Sequence, residues 1–120
     1  MIAVLDVIWI FDELITPPHP KMVACVEPEQ GWFYRINSRQ SWRPFVKLVK
    51  HPHHPWLDHD SYLHCQILEL DDYVVEESLR RRGGMVGQIS PLLKKDIVRW
   101  TFQAKDITTA DSQRIAAALK

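Results

Sequence analysis

The sequence predicts a mainly β fold with C-terminal helices, a small barrel of about five to seven strands whose helical end occupies roughly residues 90–120. Three observations carry that expectation. The first two-thirds of the chain falls into short runs rich in Val, Ile and aromatic residues, punctuated by Pro, Gly and Asx turns. Within them, Pro44–Lys50 alternates cleanly, setting Phe45, Lys47 and Val49 against Val46, Leu48 and Lys50. The last third then changes period, with Leu93, Ile97, Trp100 and Ala104 spaced along one helical stripe.

Each element has its own signal. Ala3–Phe11 is a strand by composition, and Pro17, Pro18 and Pro20 impose a loop after it. Lys21–Val26 is a second, nearly all-apolar strand. Glu27-Pro28-Glu29-Gln30-Gly31 is turn chemistry, so Trp32–Ile36 returns as the second arm of a hairpin. Pro44–Lys50 is the next strand, the prolines after it make a loop, and strand character resumes at Ser61–Leu70. Arg80, Arg81 and Arg82 read as solvated loop or edge-strand charges, or as a local basic patch, and Gly83-Gly84 breaks the chain behind them. Met85–Ile89 is a short strand or an extended lead-in. Ser90 caps a helix that has Pro91 at its first position, with Lys94, Lys95 and Arg99 on the wet side. Thr108-Thr109-Ala110-Asp111 opens a final short helix through Ala116–Leu119. Trp9 and Trp100 are assigned to the core.

The totals bound the function. The 120 residues make one domain with a single modest core, and 46% apolar and 25% charged residues exclude wholesale disorder. Fifteen basic and fifteen acidic residues cancel, which excludes a strongly basic nucleic-acid coat but leaves room for local patches such as Arg39, Arg43, Lys47 and Lys50. Cys25 and Cys65 each sit in an apolar run and read as buried free thiols. No stretch reaches the length of a membrane span, and the apolar start lacks a signal-peptide pattern, so the expectation is a cytoplasmic protein with no membrane contact.

Chemistry concentrates in one segment. Five of the six histidines lie in His51-Pro52-His53-His54-Pro55-Trp56-Leu57-Asp58-His59-Asp60-Ser61-Tyr62-Leu63-His64. Imidazole exchanges protons near neutrality, and a carboxylate beside it fixes its tautomer, which makes His59-Asp60-Ser61 the sharpest catalytic constellation. The alternative is that Asp60 and Ser61 cap the loop by bonding their own backbone. His51, His53 and His54 with Asp58 or His59 offer metal-ligating atoms, but no complete motif forms, so no metal and no cofactor is assigned. Arg35 ends a strand before Asn37 and Ser38, a set suited to holding phosphate or, equally, to ending a hairpin. Trp32, Tyr34 and Trp42 serve either as base-stacking surfaces or as core.

The order of features from Tyr62 to about Ile97 resembles the C-terminal half of the MazF/PemK (Kid-like) toxin family. Cys65-Gln66-Ile67, Leu70-Asp71, Arg80–Arg82, Gly87-Gln88-Ile89-Ser90 and the helix Leu92–Ala104 stand where that family has a Cys-Asp-Gln-like step, an Ile/Leu-Asp, a basic loop, Gly-x-hydrophobic-Ser and an amphipathic helix. Asp6-Val7-Ile8-Trp9 resembles the family's Gly-Asp-Ile-Trp opening, with Leu5 at the usual glycine, and His19-Pro20-Lys21-Met22-Val23 stands near its Arg-Pro-Val strand. The resemblance implies an SH3-like barrel, commonly a homodimer, that cleaves single-stranded RNA without a metal until an antitoxin protein covers its groove. The family's arginine before the Cys-Asp step is here His64, or Leu63 in the alternative match. On this reading Arg35, His59, Asp60 and His64 are the catalytic set, and Asn37, Ser38, Ser61 and Arg43 bind substrate. The rival expectation is a non-catalytic barrel that binds a protein or nucleic-acid partner.

Overall fold

The computed structural model describes residues 1–12, 19–40, 43–81 and 84–120. Among them seven strands form one curled antiparallel sheet: β1 (Asp6–Asp12), β2 (His19–Glu27), β3 (Trp32–Asn37), β4 (Phe45–Leu48), β5 (Ser61–His64), β6 (Leu68–Glu69) and β7 (Gly87–Gln88). Their order is β4-β5-β3-β2-β1-β7, with β6 lying off that path beside β3. Helix α1 (Asp72–Arg81) follows β6, and a 3₁₀ turn (Pro91–Leu93) leads into α2 (Lys94–Gln103) and α3 (Thr109–Ala118). The fold is therefore mainly β with C-terminal helices, compatible with a small barrel. No helix among the described residues is long and apolar enough to cross a membrane.

The sheet curls because β3 shares its outer edge between two strands. Trp32 and Phe33 pair with Glu69 and Leu68 of β6, whereas Ile36 and Asn37 pair with Leu63 and Tyr62 of β5. Its other edge pairs with β2 across the Pro28–Gly31 turn. Gly31 has φ +70, and a Cβ there would stand 2.4 Å from the Leu70 carbonyl oxygen, so only glycine fits that turn.

Alternation sends β3 side chains to two cores. Trp32, Tyr34 and Ile36 join Val7, Ala24 and Leu63 beneath α2 and α3, where Ile97, Ile107 and Ile115 meet them. Phe33 joins Ile8, Ile10, Val23 and Cys25 on the opposite face, under Val75 of α1. Burial on both faces explains why Lys21–Val26 shows almost no polar alternation in sequence. Two polar contacts fasten the helices to the sheet. Tyr34 and Thr101, both fully buried, share a 2.7 Å hydroxyl–hydroxyl bond between β3 and α2. Arg114 of α3 reaches the buried Glu27 carboxylate at 3.4 Å, and the other oxygen of Glu27 accepts from the Glu29 N–H at 2.8 Å.

The helix starts follow the sequence. The Ser90 hydroxyl accepts from Leu92 N–H with Pro91 at the first position, and the Thr108 hydroxyl accepts from Asp111 N–H. Four expectations change. The Ser61–Leu70 strand is interrupted at Cys65–Ile67, where the chain leaves β4 to reach β3 again as β6. Arg80 and Arg81 end a helix rather than occupying a loop or edge strand, because Asp71 caps it by accepting from Val74 N–H at 2.9 Å and Val75 and Leu79 face the sheet. Pro20 lies inside β2, opposite Phe11. Trp100 is 37% exposed and Trp9 only half-buried, since Thr101 takes the inward position on α2. Pro17, Pro18, Trp42, Arg82 and Gly83 lie outside the described residues.

The Tyr34–Thr101 bond yields a test. Tyr34→Phe leaves the Thr101 hydroxyl buried without this partner and should lower unfolding free energy by about 1–3 kcal/mol in urea titrations. Adding Thr101→Val should recover much of the loss; a double variant as unstable as the sum of the singles would contradict the coupling.

Candidate functional site

The histidine loop joins β4 to β5 and is organised around one residue that faces inward. His54 is 1% exposed; its Nδ1 lies 2.7 Å from the Val49 carbonyl oxygen, and its Nε2 accepts from the Ser90 N–H at 3.0 Å. A carbonyl can only accept and an amide can only donate, so the ring carries its proton on Nδ1. His54 thus ties the loop to the start of the C-terminal helices. Trp56 packs edge-on against it, 5.6 Å between centroids, and closes over Gly87, where a Cβ would stand 2.4 Å from the indole. His51 and His53 are exposed. Among the described residues no group of three or more His, Cys, Asp or Glu is arranged to hold a metal ion.

His59, Asp60 and Ser61 close this loop. The Asp60 carboxylate accepts from the Lys50 backbone N–H at 2.8 Å and lies 3.9 Å from Lys47 Nζ. The exposed His59 ring lies 2.9 Å from the Asp60 carbonyl oxygen through Nδ1, not against its carboxylate. Ser61, buried, donates its hydroxyl to the His59 carbonyl at 3.1 Å, with the His59 Nδ1 a more distant 3.4 Å away. The shorter of these contacts all go to backbone groups and cap the turn.

His64 stands at the other end of β5, roughly 10 Å further along the strand at about 3.3 Å per residue. Here the register brings distant residues together. Ile36 faces Leu63 and Asn37 faces Tyr62, and the same register continued by one residue sets Arg35 opposite His64. Directly opposed residues of an antiparallel pair have Cβ atoms about 4.5–5.5 Å apart. The Phe45 backbone pairs with His64 on the far side, and the Phe45 ring meets Tyr62 edge-on at 5.2 Å. Arg35, His64, Asn37 and Tyr62 are therefore neighbours on adjacent strands, and Ser38 follows, exposed, at the strand end.

His64 also borders a cleft of about 700 Å³ where β4 and β5 meet the end of α2. Arg43, Phe45 and Gln66 line the sheet side, and Trp100, Lys105 and Asp106 the helical side. Burial lowers the His64 pKa below its ordinary value, the Arg35 guanidinium lowers it further, and the Asp106 carboxylate opposes both. Both thiols are buried, and burial pushes each up to about 12, which leaves Cys65 an inert part of the cleft floor.

Of the eight residues expected at a site, Arg35, Arg43 and His64 lie toward this end of the sheet, while Asn37, opposite Tyr62, and Ser38 after it stand toward the Ser61 end. His59, Asp60 and Ser61 lie at the opposite end of β5. The sequence pattern assigns Trp100 to the core and carries no signal for Lys105 or Asp106. The one available signal for Trp100 was that Thr101 falls at helical spacing from Ile97 and Ala104, displacing the indole to the flank of the stripe.

Two measurements follow. Replacing His54 with Leu should cost about 1–3 kcal/mol for each of the two orphaned backbone groups in denaturant melts. For His64, the unfolded chain binds a proton more readily than the folded one. Its contribution to stability is full above the unfolded value of about 6.5 and declines as pH falls from there toward the lower folded value. His64→Gln should therefore flatten the loss of stability in this window; an unchanged slope would place the acid sensitivity elsewhere.

Comparison of the chain with protein-family models, with curated proteins and with solved structures finds no match.

Proposed function

We propose that the protein is a MazF/PemK-like barrel of toxin–antitoxin type that cleaves single-stranded RNA at the Arg35–His64 end of its sheet. The observation that carries this reading is the electrostatic contact between Arg35 and His64 on adjacent strands, with His64 at the edge of an open cleft. A permanent guanidinium charge next to an imidazole held mainly neutral is the minimum equipment for metal-independent phosphodiester chemistry. His64 takes the proton of the 2′-hydroxyl as that oxygen attacks phosphorus, Arg35 meets the charge gathering on the phosphorane oxygens, and the imidazolium returns the proton to the departing 5′-oxygen. Asp106 faces the imidazolium in the step where it is charged. Asn37, Ser38 and Arg43 flank the bound strand, while His59, Asp60 and Ser61 close the base of the β4–β5 loop.

A backbone detail supports the family likeness. Leu5 has φ 72, the left-handed conformation that favours glycine, at the position where the family carries glycine. In this reading the protein acts in the cytoplasm as a homodimer, its growth-inhibiting cleavage held off by an antitoxin protein seated over the cleft. The second reading, a non-catalytic barrel for a nucleic-acid or protein partner, is favoured by the histidine that replaces the family's arginine before Cys65, since imidazole lacks that residue's permanent forked charge.

Purified protein incubated with single-stranded RNA and a chelator should cut it between about pH 5 and 8. His64→Ala should abolish cleavage with strand binding retained, and Arg35→Ala should weaken both. Cleavage that survives His64→Ala would remove the assignment; binding without cleavage would establish the second reading.

A further inference from the structure

The walls of the cleft that His64 lines carry groups that the proton transfer leaves unused. Trp100 keeps 37% of its surface in solvent although an apolar stripe runs beside it on α2. The Arg99 guanidinium lies 5.3 Å from the centre of its ring, and across the cleft Arg43 lies 5.9 Å from that of Phe45. Gln66 and Gln103 add amides, each with both donors and acceptors. At about 700 Å³ the space matches sites for small ligands, which run about 300–1,000 Å³.

An indole partly in water gains from a flat, polarisable partner, and every nucleobase supplies one. The charge balance selects the same occupant. Arg43 and Lys105 line the cleft against the single carboxylate of Asp106, and Arg99 sits over the Trp100 ring. Aromatic planes interleaved with cations suit a single strand of nucleic acid, whose bases stack while its phosphates pair.

We propose that this cleft is a stacking subsite for one unpaired nucleobase of the bound strand, with Trp100 as the stacking plane, Gln66 and Gln103 at the base edge, and Arg43 and Lys105 at the adjoining phosphate. The subsite rests on the RNA reading of Arg35 and His64 and deepens it: it fixes which nucleotide sits against the reacting phosphate. Trp100 is a positioning residue, and proton transfer stays with His64.

The experiment uses the full chain and a fluorescently labelled oligonucleotide with 2′-deoxy sugars throughout, which has no 2′-hydroxyl and cannot be cut by this chemistry. Anisotropy titrations compare that strand with one of the same length carrying abasic positions. Trp100→Ala should weaken binding of the base-bearing strand about tenfold, the range of one lost stack, and leave the abasic strand unchanged. Trp100→Phe should recover most of the loss. Because the indole is partly exposed, circular dichroism of the variants should match the parent. Equal losses on both strands, or none, would overturn the subsite while leaving the Arg35–His64 reading intact. No binding of either strand by the parent protein would overturn both and point to a protein occupant.

Discussion

The structure depends on how β3 spends its hydrogen bonds. One edge is committed to β2, but the other is divided, first to β6 and then to β5. A strand with one neighbour on each side would continue a flat, twisted sheet; two successive neighbours on one edge force the sheet to fold over itself. That division gives the barrel its curl and separates β6 from β5. It also fixes the register that carries residue 35 toward residue 64. A slip of one residue would send Arg35 toward the helices and Tyr34 to the opposite face, exchanging a buried hydroxyl bond for a buried guanidinium.

The two cores follow from the same strand. Helices α2 and α3 cover one face and α1 part of the other, but α1 spans only the β1–β2–β3 side. The β4–β5 side, with Phe45, Lys47, Tyr62 and His64, continues past the end of that cover. Its open end borders the cleft, so the candidate chemistry sits where apolar packing stops rather than within it. The histidine loop contributes differently from what its composition invites. Its central imidazole is a structural plug between the Val49 carbonyl and the Ser90 amide, and its terminal aspartate is a turn cap.

Much of this was legible in the sequence because it is local. The hairpin across Pro28–Gly31, the alternation of Pro44–Lys50, and the caps at Ser90 and Thr108 are each written within a few residues. Helix α1 was obscured by Val74 and Val75, β-branched residues whose strand preference is overridden by the Asp71 cap and by packing of Val75 and Leu79 on the sheet. The approach of Arg35 to His64 is suggested by their chemistry but depends on strand order, which no local pattern encodes. His59 and Asp60 were attractive because they are adjacent in sequence, yet adjacency in an extended chain turns side chains apart. The cleft has no local signature because its two walls come from residues separated by more than thirty positions, and Trp100 on one of them falls on the helical stripe that reads as core.

The burial of Cys25 and Cys65 has a practical consequence. With thiols this reluctant to ionise, alkylating reagents find almost no thiolate on the native protein at neutral pH. The natural chain is therefore already a silent background for maleimide dyes and spin labels. A single cysteine introduced on the surface would carry the probe alone, with neither native thiol having to be removed first.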